Sequence, residues 1–166
     1  MTSKSAKNYL SRRAALLGTL SLCATPRLAS ALSAIEITWE DLIPPGVPEP
    51  VLNTDYWVPF YDESATKFND VLDGAFIKIA GFVLPLESTP EGVSSFVLVP
   101  YVGACIHVPP PPPNQLVFVT VDTPWPISDI WDAVWVTGIM KTQFQSTEFA
   151  DTGYALTADK IEAYEW

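Results

Sequence analysis

From Gly74 onward the apolar positions fall in short runs rich in β-formers, and the pattern is strand-like. Residues 75–84 (Ala-Phe-Ile-Lys-Ile-Ala-Gly-Phe-Val-Leu) predict a first strand, with Gly81 where a strand of a small barrel bends. Residues 94–102 predict a second strand, nearly continuous in its apolar character, and residues 116–121 a third. Ser128 is placed to cap a short helix or turn. Residues 133–142, interrupted by Gly138, predict a fourth strand and residues 154–164 a fifth. Three strands, a short helix and two strands is the order of a five-stranded Greek-key barrel. An open β-sandwich is the alternative, because strand count alone does not decide closure.

Upstream of Gly74 the periodicity fails. Residues 35–61 mix apolar side chains with Pro44, Pro45, Pro48, Pro50 and Pro59. Each proline fixes φ and lacks an N–H, so the segment predicts an irregular arm that wraps a barrel and not a helix. Trp39, Leu42, Ile43, Tyr56, Trp57 and Phe60 are its expected anchors, and residues 62–70 predict a short helical turn. The resulting domain plan is a leader over 1–31, a proline-rich arm over 32–70 and a barrel over 71–166.

The leader is read as an export signal. Lys4, Lys7, Arg12 and Arg13 form a basic region, residues 14–24 an apolar stretch too short to span a bilayer, and Ala29-Ser30-Ala31 a small-residue cleavage site. Ser11-Arg12-Arg13-Ala14-Ala15-Leu16-Leu17 resembles a twin-arginine signal. Leu22 stands where a lipoprotein signal needs a small residue, which argues against lipidation at Cys23. The expected location is periplasmic or secreted, with no membrane span after the signal. Cleavage after Ala31 removes five of nine basic side chains and none of the nineteen acids, leaving four against nineteen and a formal charge of −15. Such a field repels phosphate backbones and disfavours nucleic acid as a partner. It also attracts cations and basic surfaces, or simply keeps a tryptophan-rich domain soluble. A single remaining cysteine excludes an internal disulfide, so stability must come from packing.

Chemistry concentrates in Gly103-Ala104-Cys105-Ile106-His107-Val108, which runs into Pro109, Pro110, Pro111, Pro112, Pro113, Asn114 and Gln115. His107 is the sole histidine of the chain. If the apolar run is a strand, Cys105 and His107 leave the same face. Three readings stand side by side. As metal ligands, a thiolate and an imidazole suit zinc or copper, and further ligands such as Asp122 or Glu87 would have to complete the site. As nucleophile and base, the pair would need a third group, for which Asn114 is a geometric option, so thiol chemistry at Cys105 stays open. As structure, Cys105 is a small buried hydrophobe and His107 secures the loop. The prolines form a stiff polyproline II segment that either docks on an aromatic groove of an envelope partner or is clamped inside the molecule. The sequence contains no phosphate-binding glycine loop, Ser/His/Asp set or CxxC motif. The protein is therefore expected to be a non-enzymatic binding or adaptor module.

The run from Gly103 through Gln115 resembles the signature of an exported bacterial family known as a domain of unknown function. The resemblance extends through Trp39-Glu40-Asp41-Leu42-Ile43-Pro44, Leu72-Asp73-Gly74, Gly81-Phe82-Val83-Leu84-Pro85-Leu86-Glu87, Val136-Thr137-Gly138 and Gly153-Tyr154. It implies a periplasmic or lipid-anchored protein with a small barrel of the oligonucleotide/oligosaccharide-binding type, and brings no established activity. The two functions carried forward are a zinc-handling accessory of envelope transport using Cys105 and His107, and a protein-interaction scaffold docking through residues 109–115.

Overall fold

The computed structural model describes residues 33–104, 109–127 and 131–164. Eight strands carry the fold: β1 (Ile35–Glu36), β2 (Leu52–Asn53), β3 (Phe60–Tyr61), β4 (Phe76–Thr89), β5 (Gly92–Val99), β6 (Val117–Trp125), β7 (Ala133–Ser146) and β8 (Asp151–Ala163). In β4 the β-branched Ile77 and Ile79 point inward and are fully buried, while Phe76, Lys78 and Ala80 between them are partly open. From Gly81 to Leu84 both faces of β4 are buried, because a second layer covers the strand there.

β4 and β5 form a hairpin with Phe82 opposite Val99 and Thr89 opposite Gly92, and the register shifts between Pro85 and Glu87. Pro85 cannot donate to the ladder, which suits it to a bulge. β5 pairs antiparallel with β6, β6 runs parallel to β8 from Val117–Tyr154 to Val121–Ala158, and β8 pairs antiparallel with β7. β7 then returns to β4, from Phe76–Ile139 to Phe82–Ala133. The five strands thus close a barrel in the order β4-β5-β6-β8-β7, and β1 adds to the free edge of β4 in parallel, Ile35 opposite Ile77. Closure removes the sheet edges that an open sandwich would leave, so the sandwich alternative is excluded.

Two apolar layers result. The barrel interior is filled by side chains such as Ile77, Phe96, Leu98, Val136, Met140 and Leu156, and the arm's Ile37 and Leu42 belong to this cluster together with Leu72. A second cluster holds Phe82, Leu84, Val97 and Val99 from the other faces of β4 and β5 with Ala104 and Leu116, and Trp131 and Ala133 pack against it. Trp131 holds a left-handed φ of 74°, and its backbone and Asp132's exchange bonds with Val83 at 3.0 Å each.

The arm is irregular as its prolines require, but it contains more order than the sequence suggests. β2 and β3 make a two-residue-per-strand hairpin. Two short 3-10 turns follow, Glu63–Thr66 capped by the Asp62 carboxylate and Asp70–Leu72 capped by the Asn69 amide. The helical turn expected over 62–70 is thus two 3-10 turns. The helix or turn expected at Ser128 lies outside the described residues, as does the leader. Among the described residues no helix is long and apolar enough to cross a membrane.

Candidate functional site

The strand expected over 94–102 stops at Val99. Pro100 has no N–H to extend the ladder, residues 100–104 bend and turn, and Gly103 adopts a φ of +83° that a side chain would resist. The strand expected to carry on toward Cys105 and His107 thus ends before Pro100. Cys105, Ile106, His107 and Val108 themselves lie outside the described residues. Among the described residues no group of three or more His, Cys, Asp or Glu side chains gathers around a metal-sized site. The two carboxylates considered as further ligands, Glu87 and Asp122, sit exposed on β4 and β6.

The two described ends of the motif loop are fixed. Ala104 on one side and Leu116 on the other are fully buried in the second apolar cluster. Between them Pro111 and Pro112 are buried, and Pro112 has φ −64° and ψ 154°, the polyproline II geometry expected of the run. A 3-10 turn, Pro113–Gln115, ends the run and opens β6.

This turn is where the loop grips the arm. The fully buried Asn114 donates from Nδ2 to the carbonyls of Ser64 at 2.9 Å and Lys67 at 3.2 Å, while its Oδ1 finds no partner among the described residues. Gln115 donates from Nε2 to the carbonyl of Trp39 at 2.8 Å. Trp39 in turn donates from Nε1 to the carbonyl of Ala80 at 2.8 Å, and its indole lies so close over Gly81 that a Cβ there would stand 2.9 Å from the ring. Gly81 thus serves the close approach of an aromatic side chain at the barrel wall. Tyr61 donates its hydroxyl to the carbonyl of Pro110 at 3.1 Å.

β8 completes the clamp through a residue pair for which sequence reasoning found no role. Tyr154 is fully buried and donates to the carbonyl of Leu42 at 2.6 Å, while accepting from the Asn69 N–H at 2.6 Å. Phe68 packs edge-on against its ring with centroids 5.7 Å apart. Burial pushes the Tyr154 hydroxyl up to about 12, with the Asp70 charge adding to the rise against the Asn69 hydrogen bond. Gly153 leaves room for the Phe68 ring and for the Pro113 carbonyl, which a Cβ would approach to 2.8 Å. The adjacent Gly-Tyr was the available signal: a glycine beside a large polar-tipped aromatic marks a close approach next to a buried hydrogen bond.

What remains open to solvent differs from expectation. Leu42 is buried and Trp39 and Ile43 are partly buried, as arm anchors should be, but Tyr56, Trp57 and Phe60 are not anchors. They are 62%, 100% and 48% exposed, at or near the tip of the β2–β3 hairpin. Val51 and Val58 are exposed with them, and the Tyr56 and Phe60 rings lean on each other at 5.1 Å. Pro109 and Pro110 are exposed as well, in contrast to Pro111 and Pro112.

Grooves lie elsewhere, two of which bear on the residues above. One of about 580 Å³ opens where β6 and β8 diverge beyond Val121 and Ala158, with Asp122 and Asp159 among its lining and Lys160 drawn to Glu162 at 2.8 Å. A smaller one, about 240 Å³, is walled by Trp39, Gly81, Phe82, Trp135 and Tyr164. Lys78 lies 4.1 Å over the Trp135 ring beside it and 3.9 Å from Glu36.

No curated protein matches the chain. Among solved structures it is similar to the crystal structure of a DUF3299 family protein from Pseudomonas aeruginosa PAO1, with a TM-score of 0.68 and 34% identity over 81% of this chain and 98% of that one. The model of the family described as a protein of unknown function, DUF3299, matches residues 39–163. That match begins at Trp39, whose carbonyl receives Gln115, and ends at the last residue of β8, so it spans the whole clamp, and the chain belongs to the DUF3299 family.

Proposed function

We propose that this protein is an exported, non-catalytic binding module that docks a protein partner through the exposed prolines Pro109 and Pro110 and the aromatic hairpin tip beside them. The observation that carries this is the division within one proline run. Pro111, Pro112 and Asn114 are buried and hold the loop down, whereas Pro109 and Pro110 are left to solvent, with Tyr61 tying the hairpin to Pro110. A polyproline segment fixed at its base loses little freedom on docking, and exposed Tyr and Trp side chains are the anchors that carry most binding energy at interfaces. The basic leader with its apolar run and Ala29-Ser30-Ala31 supports export, and the surplus of acids over bases disfavours a nucleic-acid partner.

The test places a photo-crosslinking residue at Val58 and activates it in intact cells. A discrete crosslinked product is expected. It should disappear when Pro109→Gly and Pro110→Ser are introduced together, with the melting temperature of the protein unchanged. A product that persists in that variant, or none at all, would overturn the proposal.

A further inference from the structure

Resting on that docking surface, we infer that its occupant is a second copy of this chain, bound about a two-fold axis. A two-fold interface sets the same patch against itself, so residue i of one copy meets residue j of the other and the reverse. The patch must then contain both an element and its receiver. This one does: exposed prolines, and exposed Tyr56, Trp57 and Phe60 on the hairpin whose Tyr61 bonds Pro110, the residue types that receive polyproline segments. The Tyr61 to Pro110 bond holds the two together across 49 residues of sequence. Within one copy they do not satisfy each other, since Trp57 is wholly exposed.

Area points the same way. At roughly 150–250 Å² for a whole aromatic side chain, Tyr56, Trp57 and Phe60 leave on the order of 400 Å² open. Val51, Val58, Pro109 and Pro110 enlarge this, and doubling by symmetry brings it to the ~1,000 Å² that specific interfaces need. Exposed apolar surface of this size on one chain is commonly a functional one.

Charge gives the inference a distinctive signature. Residues 32–66 hold no Lys, Arg or His, and Glu49, Asp55, Asp62 and Glu63 flank the hairpin. Two copies bring like-charged rims together, so association should strengthen as salt screens them. A basic partner would show the opposite dependence.

The experiment uses the full chain as processed by the cell, purified and measured by sedimentation equilibrium at low and high ionic strength. Twice the monomer mass is expected, with the dimer favoured at high salt. Trp57→Ser, and separately Pro109→Gly with Pro110→Ser, should each weaken the dimer about tenfold or more, while their melting temperatures match wild type when all are measured at a concentration dilute enough to be monomeric. In a mixture of isotopically light and heavy copies, a photo-crosslinker at Pro110 should join residues 54–60 of the other copy. A monomer at every salt concentration whose crosslinker instead captures a different protein would overturn the second copy while leaving the docking surface standing. A monomer with no crosslink, or one that moves onto phosphatidylcholine vesicles, would overturn both.

Discussion

The hydroxyl of Tyr154, on β8, donates to the carbonyl of Leu42, which closes the 3-10 turn Glu40–Leu42 of the arm, at 2.6 Å across 112 residues of sequence. The same oxygen accepts the Asn69 N–H, so one side chain satisfies backbone groups from two separate arm segments. Tyr154→Phe keeps the ring and removes both bonds, leaving a buried donor and a buried acceptor unpaired. The expected loss is about 2–4 kcal/mol in urea unfolding, at ~1–3 kcal/mol for each orphaned group with partial relief by water.

The same hydroxyl makes stability depend on alkaline pH. Its folded pKa, pushed up to about 12, exceeds the ordinary value of 10.0. The unfolded state therefore releases this proton first as pH rises. Its contribution is complete below pH 10 and is lost progressively between 10 and about 12. Wild-type stability should fall across that window, and the fall should be shallower in Tyr154→Phe, as measured by unfolding midpoints at a series of pH values.

Asn114 offers a test of polarity in a fully buried position. Its Nδ2 donates to two carbonyls, so Asn114→Ala should cost about 1–3 kcal/mol by leaving Ser64 and Lys67 unsatisfied. Asn114→Asp is nearly isosteric, yet it replaces the donor with a carboxylate facing those carbonyls. It should cost more than the alanine variant at neutral pH, and the excess should shrink under acid as the carboxyl protonates. Chemical denaturation at two pH values reads both effects.

Gly153→Ala drives a methyl group into the Phe68 ring and the Pro113 carbonyl. A loss of about 1–3 kcal/mol is expected from overpacking. Combining it with Phe68→Leu should recover part of that loss, and the non-additivity in a double-mutant cycle measures the clash directly.

Two arm tryptophans should behave oppositely. Trp39→Ala removes the indole over Gly81 and its bond to Ala80, and should cost about 3 kcal/mol or more. Trp57→Ser, at a fully exposed position, should stay within about 0.5 kcal/mol of wild type. Melting curves of the two variants, taken at a concentration dilute enough to keep the chain monomeric, decide this.

The barrel was legible because its strands carry their own signal: the alternation around Ile77 and Ile79 is set by which face meets the core, and that is written locally. Closure was less so, since the pairing of β4 with β7 joins segments whose separation in sequence says nothing about register. The arm aromatics were misjudged for a physical reason. In a segment broken by prolines there is no period to say which side faces in, and the hairpin decides the fate of Tyr56, Trp57 and Phe60. The overrun at Val99 was avoidable, because Pro100 and Gly103 both oppose an extended ladder. Clamping of the proline loop was foreseen as one option, but its partners were not. Asn114 and Gln115 grip main-chain carbonyls, and any residue can supply one of those.

The clamp also sets an order in time. Leu42 and Trp39 lie near the start of the chain, yet the groups that hold them, Tyr154 and Gln115, are synthesised long afterwards. β4 and the Asn114–Gln115 turn hold parts of the arm first, and the arrival of β8 adds the Tyr154 bonds that fasten Leu42 and Asn69. Contacts of such long sequence separation slow folding and make its final step cooperative. A chain cut short before β8 would thus leave the arm loose and the ends of the proline loop poorly held. The backbone groups of Leu42 and Asn69 thus gain their partner only when β8 is in place.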